Sequence, residues 1–143
     1  MYLHKELETL TRPEIEKLQL ERLKKTVHHC MNSPFYKKRF EENGLTPEDI
    51  QSLDDLRKIP FTTKQDLRDT YPFGIASVSL DKAVRLHSSS GTTGNPTVII
   101  HTQKDLDEWA NAVARCLHMV GLRPSDVFQN SSGYGMFTGG LGF

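Results

Sequence analysis

Along the first seventy positions apolar residues recur at helical rather than strand spacing. Ile15, Leu18, Leu20, Leu23 and Val27 follow Thr11-Arg12-Pro13-Glu14, whose threonine and glutamate stand three apart as in a capping box. A helix is predicted from there to about Cys30. Ser33-Pro34 opens a second helix, with proline at its first position, and Asn43-Gly44 closes it. Thr46-Pro47-Glu48-Asp49 and Ser52-Leu53-Asp54-Asp55 predict two further caps in quick succession. Ile59-Pro60-Phe61-Thr62-Thr63-Lys64 then reads as an apolar stop followed by a capped helix start. The segment is expected to be short helices joined by tight turns.

The period changes near Ala83. Ala83-Val84-Arg85-Leu86-His87 and Val98-Ile99-Ile100-His101 both have strand character, and a loop of small residues lies between them. Thr102-Gln103-Lys104-Asp105 caps a longer helix, in which Leu106, Trp109, Ala110, Val113, Leu117 and Val120 form one apolar stripe that stops at Gly121. Trp109 is expected to anchor a core. Asp126-Val127-Phe128-Gln129-Asn130 predicts another strand, which runs into the glycine-rich Ser131–Gly140.

Composition excludes several function classes. At 143 residues the chain suits one domain, and Lys plus Arg balance Asp plus Glu at 18 each. No global field therefore favours nucleic acid or an anionic membrane. Mean hydropathy is −0.50 and no apolar run approaches the ~18 residues a membrane helix needs. The N-terminus lacks an apolar signal core, and Cys30 and Cys116 lie far apart, which suits a reducing compartment. A soluble cytoplasmic protein is expected. His28-His29-Cys30 is not read as a metal site, because neighbouring helical side chains diverge by about 100°. Tyr36-Lys37-Lys38-Arg39 reads as a solvated helix face.

The stretch with the most chemistry is Ser88-Ser89-Ser90-Gly91-Thr92-Thr93-Gly94-Asn95-Pro96-Thr97, with five hydroxyl groups before the proline and no large side chain. Glycine lets the backbone approach a ligand, successive N–H groups can converge on an anion, and hydroxyls add donors. Phosphate is the natural guest, and an ordinary turn is the alternative. Neither a Walker loop nor G-x-G-x-x-G is present. The loop has no charge, so a metal or basic residues elsewhere must add affinity.

Ser89-Ser90-Gly91-Thr92-Thr93-Gly94-Asn95-Pro96 resembles the phosphate-binding signature of the adenylate-forming superfamily of acyl-CoA synthetases. Most members continue after the proline with Lys-Gly; Thr97-Val98 here resembles the phenylacetate-CoA ligase branch instead. Ser33-Pro34-Phe35-Tyr36, Leu56–Lys64, Asp66–Gly74 and Gly133–Gly142 resemble that branch in the same order. The resemblance implies an α/β fold: a helical segment over 1–80, then from 81 to 143 the start of the AMP-binding domain with an incomplete sheet. It implies that Ser89, Ser90, Gly91, Thr92, Thr93 and Gly94 hold ATP phosphates, and that Tyr134, Phe137, Gly139 and Gly140 border an aryl group. The residues of the Ser131–Gly140 segment alone read rather as a loop with Tyr134 and Phe137 packed inward, and it is the resemblance that assigns them to the aryl group.

The implied reaction joins phenylacetate to ATP as an acyl-adenylate, releasing pyrophosphate, and the thiol of coenzyme A then displaces AMP. Magnesium is expected to share in neutralising the phosphates; no catalytic residue and no metal ligand is assigned to this chain. A homodimer belongs to the full-length enzyme, by resemblance. The resembling enzymes are several hundred residues longer, so the chain reads as an N-terminal piece. A truncated parallel sheet would leave an apolar edge and face uncovered. Two other readings stand beside it: a ligase for another aryl or indolyl acetate, and a non-catalytic helical interaction module with no nucleotide binding. On the first reading the 143-residue chain alone is expected to give no phenylacetate-dependent ATP–pyrophosphate exchange; measurable exchange by the purified chain would overturn that.

Overall fold

The computed structural model describes residues 2–91 and 94–142. Six α-helices, short 3₁₀ turns and two strands are described: α1 (Lys5–Glu8), α2 (Arg12–Cys30), α3 (Pro34–Glu42), α4 (Lys64–Asp69), β1 (Arg85–Ser88), β2 (Val98–His101), α5 (Gln103–Met119) and α6 (Thr138–Leu141). The chain divides into two compact units. One is Leu10–Leu80; the other joins the residues through Thr9 to the chain from Asp81 onward.

In the helical unit, paired hydroxyls and carboxylates start every element but α3, which opens on Ser33-Pro34 without one. Thr11 donates to Glu14 from its N–H at 2.7 Å and from its hydroxyl at 2.6 Å. Thr63 does the same to Asp66, at 2.7 Å each. The pairs Thr46/Asp49 and Ser52/Asp55 also form, yet each begins only a 3₁₀ turn, Pro47–Asp49 and Asp54–Lys58. α3 ends in a Schellman pair, with Gly44 N–H on the Glu41 carbonyl and Leu45 N–H on that of Phe40. The turn returns the chain so that Val27, Phe40 and Ile50 meet as a core, with Leu23, Met31, Leu45 and Ile59 packed around it.

Arg39 departs from the solvated face expected of the basic run. Lys37 and Lys38 are exposed or nearly so, but Arg39 donates from Nη1 to the Phe61 carbonyl at 2.7 Å and from Nη2 to Asp66 Oδ1 at 2.6 Å. Its guanidinium also lies 4.7 Å from the centre of the Phe35 ring. One side chain thereby ties α3 to the cap of α4.

In the second unit β1 and β2 pair antiparallel, His87 opposite Ile99 and Arg85 opposite His101. The truncated parallel sheet of the expectation is thus replaced, among the described residues, by a two-stranded antiparallel ribbon. A connection of nine residues between the strands suits a hairpin and is too short for a parallel crossover. Residues 126–130 are not a strand. Arg123 N–H bonds the Asp126 carboxylate and Asp126 N–H bonds the Arg123 carbonyl, which turns the chain, and Val127 is 98% exposed. A strand requires a neighbour for its backbone groups, and the ribbon offers this segment none.

α5 carries the expected stripe and ends in a second Schellman pair at Gly121 and Leu122. None of its residues is fully buried; Leu106, Trp109, Val113 and Leu117 are half-buried and line an open groove of about 550 Å³. Val120 lies outside the stripe's cover, exposed at the helix end. α1 is held to α5 by Glu8 with Arg115 at 3.4 Å and His4 with Asn111 at 2.9 Å.

Asp66 shows how the caps couple to acidity. The Thr63 N–H and hydroxyl, then Arg39, hold its carboxyl at about 2, below its ordinary 3.8. A depressed folded value contributes stability that is complete above the ordinary value and is lost as pH falls through the folded one. Thermal melts of the chain should therefore weaken as pH falls from about 4 to about 2, and Asp66→Asn should flatten that slope. An unchanged slope in the variant would show that Asp66 does not couple.

Candidate functional site

The hydroxyl-rich loop leaves β1 at Ser88 and returns into β2 at Val98. Its base is latched by one residue. Ser89 N–H donates to the Thr97 carbonyl at 3.0 Å, and Thr97 N–H donates to Ser89 Oγ at 3.0 Å. Ser88 Oγ donates to the Ser89 carbonyl at 2.8 Å. The Ser89 oxygen is thus an acceptor for the backbone, and its own proton is left to give to a guest. Ser90 is exposed at the start of the loop.

Gly91 has φ +66, and a Cβ there would stand 3.2 Å from the Gly94 carbonyl oxygen and 3.4 Å from Pro96. Any other residue would be strained by the backbone and crowded as well. Gly94 N–H closes the tight turn onto the Gly91 carbonyl at 3.1 Å. Gly94 itself is exposed with open space around its Cα. Thr92 and Thr93 lie outside the described residues, so the loop's two threonine hydroxyls are not placed.

The Gly133–Gly140 segment comes to the other edge of β1. Ser88 N–H donates to the Met136 carbonyl at 2.8 Å, and His87 Nδ1 lies 3.2 Å from the same oxygen. Arg85 Nη1 donates to the Leu141 carbonyl at 3.0 Å. Asn130 braces the segment from within, donating to the Gly140 carbonyl at 3.0 Å and accepting from Ser132 N–H at 3.0 Å. A cavity of about 290 Å³ results, lined by His87, Ser88, Ser89, Thr97, Ile99, Phe137 and Thr138.

Of the residues expected to border an aryl group, Phe137 reaches this cavity. Tyr134 does not line it; its ring lies over Gly140, where an added Cβ would meet the ring at 3.1 Å and the Gly133 carbonyl at 2.8 Å. Gly140 is therefore needed small by its neighbours here, while Gly139 is open. Of the phosphate-loop set, Ser89 lines the cavity, and Ser90, Gly91 and Gly94 follow it along the loop.

His87, Thr97, Ile99, Thr138 and the bracing Asn130 are not singled out as site residues by the sequence. His87 is 3% exposed and packs against two rings, His101 at 5.3 Å and Trp109 at 5.2 Å between centres. Trp109 meets His101 at 5.3 Å as well, so the expected core anchor holds an aromatic trio rather than an aliphatic core. Burial pushes the His101 imidazole below its ordinary value, and His87 and Arg85 act in the same direction against Asp105. Strand alternation could have put His87 and His101 on one face; nothing in the sequence brought Met136 to them. Among the described residues no group of three or more His, Cys, Asp or Glu could hold a metal ion. His29 instead meets Ser77 Oγ at 2.9 Å.

No family model matches the chain. Curated proteins do. Phenylacetate-coenzyme A ligase of Escherichia coli K12 is 51% identical over 137 residues, which are 95% of this chain and 31% of that protein. Those of Aromatoleum evansii and Thermus thermophilus are 51% and 49% identical with the same share of their lengths covered. The chain is homologous to the phenylacetate-CoA ligases. It spans about 31% of their length. Its fold is that of part of an adenylate-forming CoA ligase: 2-hydroxyisobutyryl-CoA ligase, solved in a postadenylation state with 2-HIB-AMP, matches at a TM-score of 0.86 and 30% identity over 94% of this chain and 29% of that one. The same enzyme solved with 2-HIB-AMP and CoA matches at 0.87 and 31%, over 94% of this chain and 30% of that one.

In this phenylacetate-CoA-ligase-like chain the latch at Ser89 is open to direct test. Ser89→Ala removes the acceptor for Thr97 N–H. A hydrogen bond of about 1 kcal/mol net should then be lost, raising amide exchange at Thr97 roughly fivefold, while Ser90→Ala leaves it unchanged. Equal exchange at Thr97 in both variants would show that the latch does not hold the loop.

Proposed function

We propose that the chain is part of an AMP-forming phenylacetate-CoA ligase, in which the loop from Ser89 to Gly94 holds ATP phosphates and Phe137 borders the aryl group of the acid. The observation that carries this reading is the 290 Å³ cavity, which has the latched base of the hydroxyl loop on one side and Phe137 on the other. Two reactants held across one strand are brought from solution into a fixed pair, which is what a two-substrate transfer requires.

In the first half-reaction an oxygen of the phenylacetate carboxylate bonds to the α-phosphorus of ATP. The bond from that phosphorus to the α,β-bridging oxygen breaks, and pyrophosphate leaves with the electron pair. Charge grows on the leaving group, so donors aimed at the β- and γ-phosphates act where the transition state needs them. Ser89 and Ser90 hydroxyls and the Gly91 N–H would supply those donors, the Gly94 N–H being engaged on the Gly91 carbonyl; Thr92 and Thr93 enter by their place in the motif. In the second half the sulfur of coenzyme A bonds to the acyl carbon, the bond from that carbon to the phosphate oxygen breaks so that AMP departs with the electron pair, and the thiol proton is released to solvent. No described side chain of the site is placed as a general acid or base.

Magnesium does not fit this chain's loop by itself. The loop and cavity offer hydroxyls and N–H donors without a carboxylate, whereas magnesium takes anionic oxygens and waters. On this reading it is held by the phosphates themselves. Tyr134, Gly139 and Gly140 enter the aryl site only by their place in the motif, since the cavity is lined by Phe137 and not by them. Among the described residues no helix is long and apolar enough to cross a membrane, and small carboxylate substrates fit a cytoplasmic setting.

Calorimetric titration of the purified chain with magnesium pyrophosphate, beside a thermal melt, tests the phosphate half. Binding is expected, and Gly91→Val should weaken it about fivefold or more, since the backbone at φ +66 disfavours a β-branched residue by about 1 kcal/mol or more. A cooperative melt with no binding would reduce the loop to a turn.

A further inference from the structure

We infer that His87 is a positioning residue: as its Nδ1–H tautomer it holds the Met136 carbonyl, and through the next peptide bond Phe137, against the strand that enters the hydroxyl loop. The inference deepens the ligase reading, on which its relevance to catalysis rests, but its geometry stands apart from any ligand.

The tautomer follows from the partner. A backbone carbonyl only accepts, so the ring nitrogen 3.2 Å from the Met136 oxygen must be the one that carries hydrogen. The other nitrogen, Nε2, is buried and has no hydrogen-bond partner among the described residues. With the proton on Nε2, a buried donor would go unpaired and two lone pairs would face each other at Nδ1. The ring cannot turn freely to escape, since His101 and Trp109 pack on it.

The Met136 carbonyl then has two donors, Ser88 N–H at 2.8 Å and His87 Nδ1–H. Both come from consecutive residues of β1, one backbone and one side chain. An oxygen with both lone pairs engaged is fixed in direction as well as distance. That matters for Phe137, which is 56% exposed and has little packing of its own to set its position. His87 also lines the cavity that Phe137 and Ser89 share, so the residue that fixes the aromatic wall touches the same space.

The test uses the whole 143-residue chain, labelled with ¹⁵N and without ligand. Long-range imidazole spectra should show the His87 proton on Nδ1. His87→Asn keeps a donor near the Nδ1 position, and His87→Phe keeps the ring but removes the donor. Ser88 amide protection and the Phe137 ring resonances should survive in the asparagine variant. In the phenylalanine variant Ser88 exchange should rise roughly fivefold, the effect of losing about 1 kcal/mol. The Val84 amide, bonded to the His101 carbonyl, reports whether the ribbon is intact in each. A proton on Nε2, or unchanged Ser88 exchange and Phe137 resonances in a folded His87→Phe chain, would overturn the inference. If both variants lose the ribbon, the wild-type tautomer decides. Failure of pyrophosphate binding would remove the phosphate half of the ligase reading and leave these results standing, so the two failures are distinguishable.

Discussion

Strand β1 is four residues long and is used on both edges. β2 takes one edge through a regular antiparallel ladder, and the 136–141 segment takes the other through Ser88 N–H, His87 Nδ1 and Arg85 Nη1. A two-stranded ribbon alone is marginal in water, and its outer edge would expose unpaired groups. Occupying that edge with a glycine-rich segment satisfies part of it without adding a third strand. The same contact brings residues about fifty positions apart in sequence to one small cavity. Everything attributed to the site depends on this shared strand.

The site that results is neutral and donor-rich. Its described lining contains hydroxyls, an imidazole and apolar side chains, with no carboxylate to repel phosphate and no ammonium to neutralise it. The motif's departure after Pro96, Thr97 in place of lysine, is given a structural use: Thr97 supplies both backbone groups of the latch to Ser89. Any residue could supply backbone groups, so the latch does not by itself explain the missing charge.

How much could be read from sequence depended on whether the signal was local. Caps were legible because a hydroxyl and a carboxylate three apart find each other within one turn, as Thr11/Glu14, Thr63/Asp66 and Thr102/Asp105 do. The strand–loop–strand reading and the turn at Gly91 were legible for the same reason. Segment 126–130 was misread because its apolar residues carry strand propensity, but a strand exists only with a partner, and the partner is not a local property. His87, Asn130 and the double use of the Met136 carbonyl were invisible because each joins residues distant in sequence, from Asn130 and Gly140 to His87 and Met136. Arg39 was hidden in the same way, as one member of a basic run that turns inward to Asp66.

The two units also differ in what holds them. The helical unit closes on Val27, Phe40 and Ile50, and Ile50 is wholly buried. The unit with the cavity has no comparable apolar centre among its described residues; its buried positions are Val98, His87 and Gly140, and the α5 stripe faces an open groove. Apolar burial is non-directional and tolerates small shifts, whereas hydrogen bonds of defined angle do not. A site held by the second kind of interaction is therefore positioned more sharply for the same number of contacts, and is also more readily lost with any one of them. That trade places the greatest sensitivity of this unit at the Met136 carbonyl and the Ser89 latch, rather than along the apolar stripe of the long helix.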